Sequence, residues 1–294
     1  MKKLYGTGVA LVTPFDGSGD IDFPALKRIL THTAKGVDYY VVMGTTGESA
    51  TMGKDEKKAV LEFVKKNNTR HLPIVYGLGG NHTAAVLEEI SKTDWTDVDA
   101  LLSVSPYYNK PSQEGIIRHF SFIADKSPVP VILYNVPGRT SSNLTAGTTL
   151  RLAAHERIVG VKEASGNMEQ CMKILKDKPR DFMVISGDDM LTVPLYAMGA
   201  AGVISVLANA FPISFRKMAQ RAFSGQYDKA STELLRLVDI NPLMYEEANP
   251  VGVKAVLHEM GICSAHVRLP LLPASGNLKM RIQSALAGIK KGQR

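Results

Sequence analysis

The chain is poor in cysteine and tryptophan and has no long apolar run, and each scarcity closes a route. Its two cysteines, Cys171 and Cys263, lie far apart without metal-ligand spacing. A disulfide framework or a zinc site is therefore not expected, and free thiols in a reducing compartment are. No apolar stretch approaches the roughly 20 residues that a bilayer span needs. The start, MKKLYGTGVALVTPF, carries basic residues, but glycine, threonine and proline break its apolar run, unlike a secretory leader. A cytoplasmic protein with no membrane partner is expected. The formal charge of +7 is moderate, and stretches such as KDEKKAVLEFVKK and KILKDKPR mix their lysines with acids, as solvated helix faces do. There is no basic stripe interleaved with stacking aromatics, and the one tryptophan, Trp95, follows a helical segment, so no nucleic-acid partner is expected. The histidines do not cluster, and no cofactor or metal is expected. A dinucleotide turn is missing too: GTGVALVTPFDGSG and YGLGGN lack its glycine spacing, which counts against an open doubly wound sheet.

What the chain does have is a rhythm. Short β-branched runs recur as GTGVALVTP, DYYVVMG, LPIVYGLG, ALLSVSP, VPVILYNVP, IVGVKEA, FMVISGDD and GVISVLAN. Between them lie segments with helical spacing of apolar residues, such as FPALKRILTHTAK, DEKKAVLEFVKKN, TAAVLEEISKT and QEGIIRHFSFIADK. Near-continuous apolar strands must be covered by helices, so eight such alternations predict an α/β fold of the (β/α)8 TIM-barrel type. The alternation ends near Phe223. The segments TELLRLVDINPLMYEE, PVGVKAVLHEMG and LKMRIQSALAGIKK then read as helices alone, giving an expected barrel over 1–224 and a C-terminal helical extension over 225–294.

In such a barrel the site lies where strands end and the following loops begin. The second strand ends in MGTTGES, which brings the Thr45 and Thr46 hydroxyls and amides between Gly44 and Gly47. The fourth ends in SPYYNKP with Tyr107 and Tyr108, the fifth in YNVPGRT with Tyr134 and Arg139, and the sixth in VKEAS with Lys162. Taken singly, each has an ordinary structural role: tyrosines pack, threonines cap turns, arginines pair with acids. Their convergence on one end of one barrel is the stronger signal. Lys162 discriminates among the readings. A buried ammonium costs several kcal/mol unless it snorkels, pairs or loses its proton. Glu163 is not its partner on one face, because neighbouring strand residues point to opposite sides. If Lys162 points inward, a desolvated amine is a nucleophile towards a carbonyl, which is Schiff-base chemistry. A structural lysine paired with another acid is the competing reading.

The motifs GTTGES, SPYYNKP, YNVPGRT and GVKEASG, in this order and at these separations, resemble the dihydrodipicolinate synthase family of pyruvate-dependent class I aldolases. The resemblance runs from TGVALVTPF to ANPVGVK. It implies a homotetramer built from two tight dimers, and an enzyme that condenses pyruvate with L-aspartate 4-semialdehyde in lysine and diaminopimelate biosynthesis. By this resemblance Lys162 forms the imine with pyruvate, and Tyr134 relays protons through Thr45 to a Tyr108 contributed by the neighbouring subunit. Thr45 and Thr46 hold the pyruvate carboxylate, and Arg139 receives the carboxylate of the semialdehyde. Gly187 and Ile204 line the pyruvate pocket through their backbones.

Related scaffolds serve N-acetylneuraminate lyase and keto-sugar-acid aldolases, and a barrel that has lost its chemistry is a further alternative. The GRT after YNVP and the paired tyrosines of SPYY favour the synthase. Feedback-inhibited members of the family bind L-lysine through an acidic residue after the third strand and, in many, histidines after the second. This chain keeps Ser49, Asn81 and Tyr107 at matching positions, but it has Ala85 at the acidic position and Lys54 and Lys57 at the histidine positions. Loss of that carboxylate predicts insensitivity to L-lysine. Glu88 or Glu89, one helical turn on, is the alternative source of charge.

Overall fold

The computed structural model of the protein describes residues 2–291. Eight strands, β1 (Gly6–Ala10), β2 (Tyr39–Val42), β3 (Ile74–Gly77), β4 (Ala100–Val104), β5 (Val131–Asn135), β6 (Ile158–Glu163), β7 (Met183–Ser186) and β8 (Gly202–Ser205), match the eight β-branched runs. They pair in sequence order, all parallel, and β8 returns to β1 to close the barrel. This is the predicted (β/α)8 architecture. Closure leaves no sheet edge exposed, and the strands are buried on both faces, which is why they read as continuous apolar runs.

Two apolar layers follow from strand parity. Tyr39, Val41, Val75, Leu102, Ile132, Tyr134, Ile185 and Ile204 form the barrel interior. Their sequence neighbours, among them Tyr40, Val42, Leu101, Leu133, Val161 and Val184, pack outward against the helices. The covering helices are α1 (Phe23–Thr33), α2 (Lys54–Asn67), α3 (Thr83–Lys92), α4 (Gln113–Lys126), the short α5 (Pro137–Thr140), α6 (Ala146–Leu152), α7 (Met168–Asp177), α8 (Thr192–Ala197) and α9 (Pro212–Phe223). In α4, Ile116, His119, Phe120, Ile123 and Ala124 are buried, the i, i+3, i+4, i+7, i+8 stripe of an amphipathic helix. Its start is fixed by Ser112, whose hydroxyl accepts the Gly115 N–H. Asp22, Thr145 and Asn167 cap α1, α6 and α7 in the same way.

The C-terminal segment departs from expectation at one point. TELLRLVDINPLMYEE is not one helix: α10 (Tyr227–Leu235) ends early, and Pro242–Met244 forms a separate 3₁₀ turn. Proline has no N–H to donate and its ring clashes with the preceding turn, so apolar spacing alone overran a break. Two helices follow, α11 (Val251–Glu259) and α12 (Gly276–Lys291). Among the described residues, no helix is long and apolar enough to cross a membrane.

Candidate active site

The inward or outward choice between Lys162 and Glu163 is decided by register. Lys162 pairs with Tyr134 on β5 and Ile185 on β7, both interior residues, so its side chain shares their face. It is 6% exposed, and its ammonium lies 4.3 Å from the centre of the Tyr134 ring. Among the described residues no carboxylate pairs with it. Glu163 turns the other way and is equally buried, with its carboxylate held by neutral donors: the Asn135 amide at 3.0 and 3.1 Å, the Ser165 N–H at 2.8 Å and the Gln170 amide at 2.8 Å. An amine without an acid partner, set against an aromatic ring at the C-terminal end of a barrel strand, is placed where a carbonyl bound in the barrel mouth could meet it.

A cavity of about 300 Å³ has Thr45, Tyr134 and Arg139 together in its wall; Lys162 is not itself in that wall and adjoins it through the Tyr134 ring. Tyr134 reaches it from β5. Arg139 reaches it because Pro137 starts the single turn of α5, and its guanidinium is exposed, with no acid or carbonyl partner among the described residues. Thr45 and Thr46 begin a 3₁₀ turn, Thr45–Gly47, so their N–H groups have no acceptor within the turn. Thr45 faces the cavity. Thr46 is buried, and its hydroxyl accepts a 3.0 Å hydrogen bond from the Asn249 amide. Gly187 stands just past β7, where an added Cβ would lie 2.5 Å from that of Ala164. Ile204 is in the interior on β8.

Tyr108 is placed elsewhere. It is 88% exposed, has a left-handed backbone (φ 71°) and is absent from the wall of its own cavity. Tyr107 is in that wall instead. The relay from Tyr134 through Thr45 to Tyr108 is therefore not closed within one chain.

The same cavity runs on to Ser49, Lys57, Tyr107 and Glu89. The expectation that this region lost its negative charge needs correcting: Ala85 is exposed, and Glu89, four residues on, puts a carboxylate in the wall because i and i+4 share a helix face. Lys57 sets an ammonium in that wall too. Glu88 pairs instead with Lys92 on the outside of α3.

Three features escaped the sequence reading. Asp189, beside Gly187, is fully buried, and burial pushes its carboxyl up to about 6 while its Oδ2 accepts the Val206 and Leu207 N–H groups. Desolvation of its phenol end, and then the Asp189 carboxylate, push the Tyr245 hydroxyl well above its ordinary value against the opposing charge of Arg139, although the residue as a whole is 38% exposed. Lys254 in α11 is completely buried and pairs with Glu48 at 2.5 Å. That last one had a signal, since a lysine amid PVGVKAVL breaks an apolar run much as Lys162 does.

The model of the dihydrodipicolinate synthetase family matches residues 3–289 of this chain. A 4-hydroxy-tetrahydrodipicolinate synthase of Cytophaga hutchinsonii is 51% identical over 286 residues, covering 97% of this chain and 96% of its own. Among solved structures, the chloride-inhibited dihydrodipicolinate synthase of Acinetobacter baumannii in complex with pyruvate superposes with a TM-score of 0.94 at 34% identity, over 98% of this chain and 99% of that one. The synthase of Cyanidioschyzon merolae with lysine bound gives 0.94 at 35% identity, over the same shares.

Proposed function

The chain belongs to the dihydrodipicolinate synthetase family, and from that premise we propose that it is a 4-hydroxy-tetrahydrodipicolinate synthase condensing pyruvate with L-aspartate 4-semialdehyde through an imine on Lys162. The observation that carries this reading is the buried, acid-free Lys162 amine against the ring of Tyr134. The amine adds to the pyruvate ketone, and loss of one water leaves an imine whose cationic nitrogen withdraws electrons. The pyruvate methyl then loses a proton, and the enamine attacks the aldehyde. The substrate's own amine displaces lysine at the imine carbon, closing the ring and freeing Lys162, with one water lost overall.

The surrounding groups fit the needs of these steps. Tyr134 supplies a phenol beside the imine for proton transfer, with Thr45 in the same wall. The open N–H groups and hydroxyl of the Thr45 and Thr46 turn offer donors for the pyruvate carboxylate without placing another cation beside the amine. The Thr46 hydroxyl, held by Asn249, keeps its proton free to donate. Gly187 and Ile204 bound the pyruvate pocket with backbone. Arg139, unpaired at the cavity mouth, offers a planar fork to the carboxylate of the semialdehyde. Tyr108 serves the site of a neighbouring subunit within a homotetramer, a role supported by its exposure and its distance from its own cavity wall. The enzyme works in the cytoplasm.

L-lysine is not an effector in this reading. Two lysines, Lys54 and Lys57, stand on α2, and the Glu89 carboxylate is offset by Lys57 in the same wall. An amino acid with two ammonium groups and one carboxylate so gains no net attraction there. A purified enzyme given both substrates should yield the cyclic product with loss of one water, and should leave N-acetylneuraminate uncleaved; cleavage of the sugar acid without condensation would replace the synthase by the lyase reading.

A further inference from the structure

The loop that carries Thr45 and Thr46 is fastened from outside the barrel by charge. Glu48, directly after the 3₁₀ turn, adopts a left-handed backbone with φ 54° that L residues hold only where their surroundings fix it. Its surroundings come from the other end of the chain. The Lys254 ammonium of α11 meets Glu48 Oε1 at 2.5 Å and donates to the His266 carbonyl at 2.8 Å, and the side chains of the pair are 0% and 2% exposed. Glu48 Oε2 accepts the Arg268 N–H at 3.0 Å. The Arg268 guanidinium grips Glu56 at 2.5 and 2.9 Å and the Gly19 carbonyl, and both it and Lys254 lie 4.3 Å over the Phe15 ring. Beside them, Asn249 holds the Thr46 hydroxyl. The polar contacts named for Glu48 and Lys254 are thus with each other or with backbone, and none is with solvent.

A dry ion pair is a poor device for stability, since packed apolar side chains commonly do as well. What it does supply is geometric specification: one orientation satisfies both charges, and a loop bearing it cannot drift. We propose that Glu48 and Lys254 are positioning residues for the pyruvate carboxylate site, setting the Thr45 and Thr46 donors from the C-terminal helices. The substrate side of this inference rests on the assignment of those donors under the proposed function.

The test uses the full-length enzyme and two readouts. Borohydride trapping of pyruvate gives a half-saturating concentration, and hydrogen exchange over residues 45–49 reports the loop without reference to substrate. In Lys254→Met, measured below its unfolding temperature, half-saturation should rise about tenfold or more, since sub-ångström misplacement of a binding group carries that order of loss, and exchange over 45–49 should quicken. The double variant Glu48→Gln with Lys254→Met removes both charges. It should recover thermal stability and keep the raised half-saturation. Unchanged half-saturation in folded Lys254→Met with only a lower Tm, or a double variant that regains both properties, would overturn positioning in favour of a purely structural pair. If the single variant does not fold, the double variant decides alone. A wild-type enzyme that traps no pyruvate removes the substrate assignment, whereas unchanged exchange over 45–49 overturns the fastening itself.

Discussion

Arg139→Ala separates the two substrates. The guanidinium stands at the cavity mouth, exposed and without an acid or carbonyl partner among the described residues. Truncation therefore leaves no buried group unsatisfied, and the unfolding free energy should move by no more than about 0.5 kcal/mol, as for a surface change away from a network. Two charge-assisted hydrogen bonds to the semialdehyde carboxylate are worth about 2–5 kcal/mol together, and solvent at the mouth selects the lower half of that range. At about 1.4 kcal/mol per tenfold, kcat/KM for the semialdehyde should fall roughly 30-fold or more. Pyruvate trapping should stay close to wild type, because the first carboxylate is assigned to the Thr45 and Thr46 loop. Arg139→Lys should recover only part of the loss, since an ammonium keeps the charge without the planar fork. The assay is steady-state condensation with each substrate varied in turn, beside borohydride trapping with pyruvate alone. Equal damage to trapping and condensation would refute the assignment of Arg139 to the second substrate.

Tyr108→Phe should lower activity, and mixed oligomers with Lys162→Ala protomers should regain part of it, since one site then holds an intact lysine and an intact partner tyrosine; mixtures no more active than the sum of their parts contradict a shared site. His119 is buried with its Nδ1 at 2.8 Å from the Thr83 hydroxyl, and burial lowers its pKa from 6.5 to about 4. The unfolded chain binds that proton first, so stability should drop by about 3 kcal/mol as pH falls from about 6.5 to 4, and level off below. His119→Gln should remove that slope from a denaturation series, and an unaltered slope would assign it to other groups. Titration of L-lysine to high millimolar levels should leave turnover unchanged, whereas saturable partial inhibition would show that Glu89 outweighs Lys57.

The barrel was legible because its strands are buried on both faces, so β-branched runs stand out without any need for alternation, and because α1 to α4 carry clear apolar stripes. The inward turn of Lys162 was legible as one of two choices, and register settled it. What stayed hidden depends on contacts between distant parts of the chain. Glu48 and Lys254 are 206 residues apart, and the sequence offers no sign that they meet. The same holds for Asn249 and Thr46, 203 residues apart. The break before Pro242 was local and available, but the apolar period continues through it and concealed it. Ala85 does remove a carboxylate at its own position, but of the two alternatives that the helical period offered, Glu88 and Glu89, it is Glu89 that reaches the same wall.

The most direct measurement is reduction with borohydride in the presence of pyruvate, followed by peptide mass mapping. The chain contains a second buried lysine as an internal control: burial pushes the Lys254 amine below its ordinary value, but the amine is taken up by Glu48 and the His266 carbonyl and should not react. Label confined to the peptide bearing Lys162, and abolished in a folded Lys162→Arg variant, is the predicted result. Label on Lys254 or on surface lysines, or none at all in an enzyme that consumes pyruvate, would contradict the imine at Lys162.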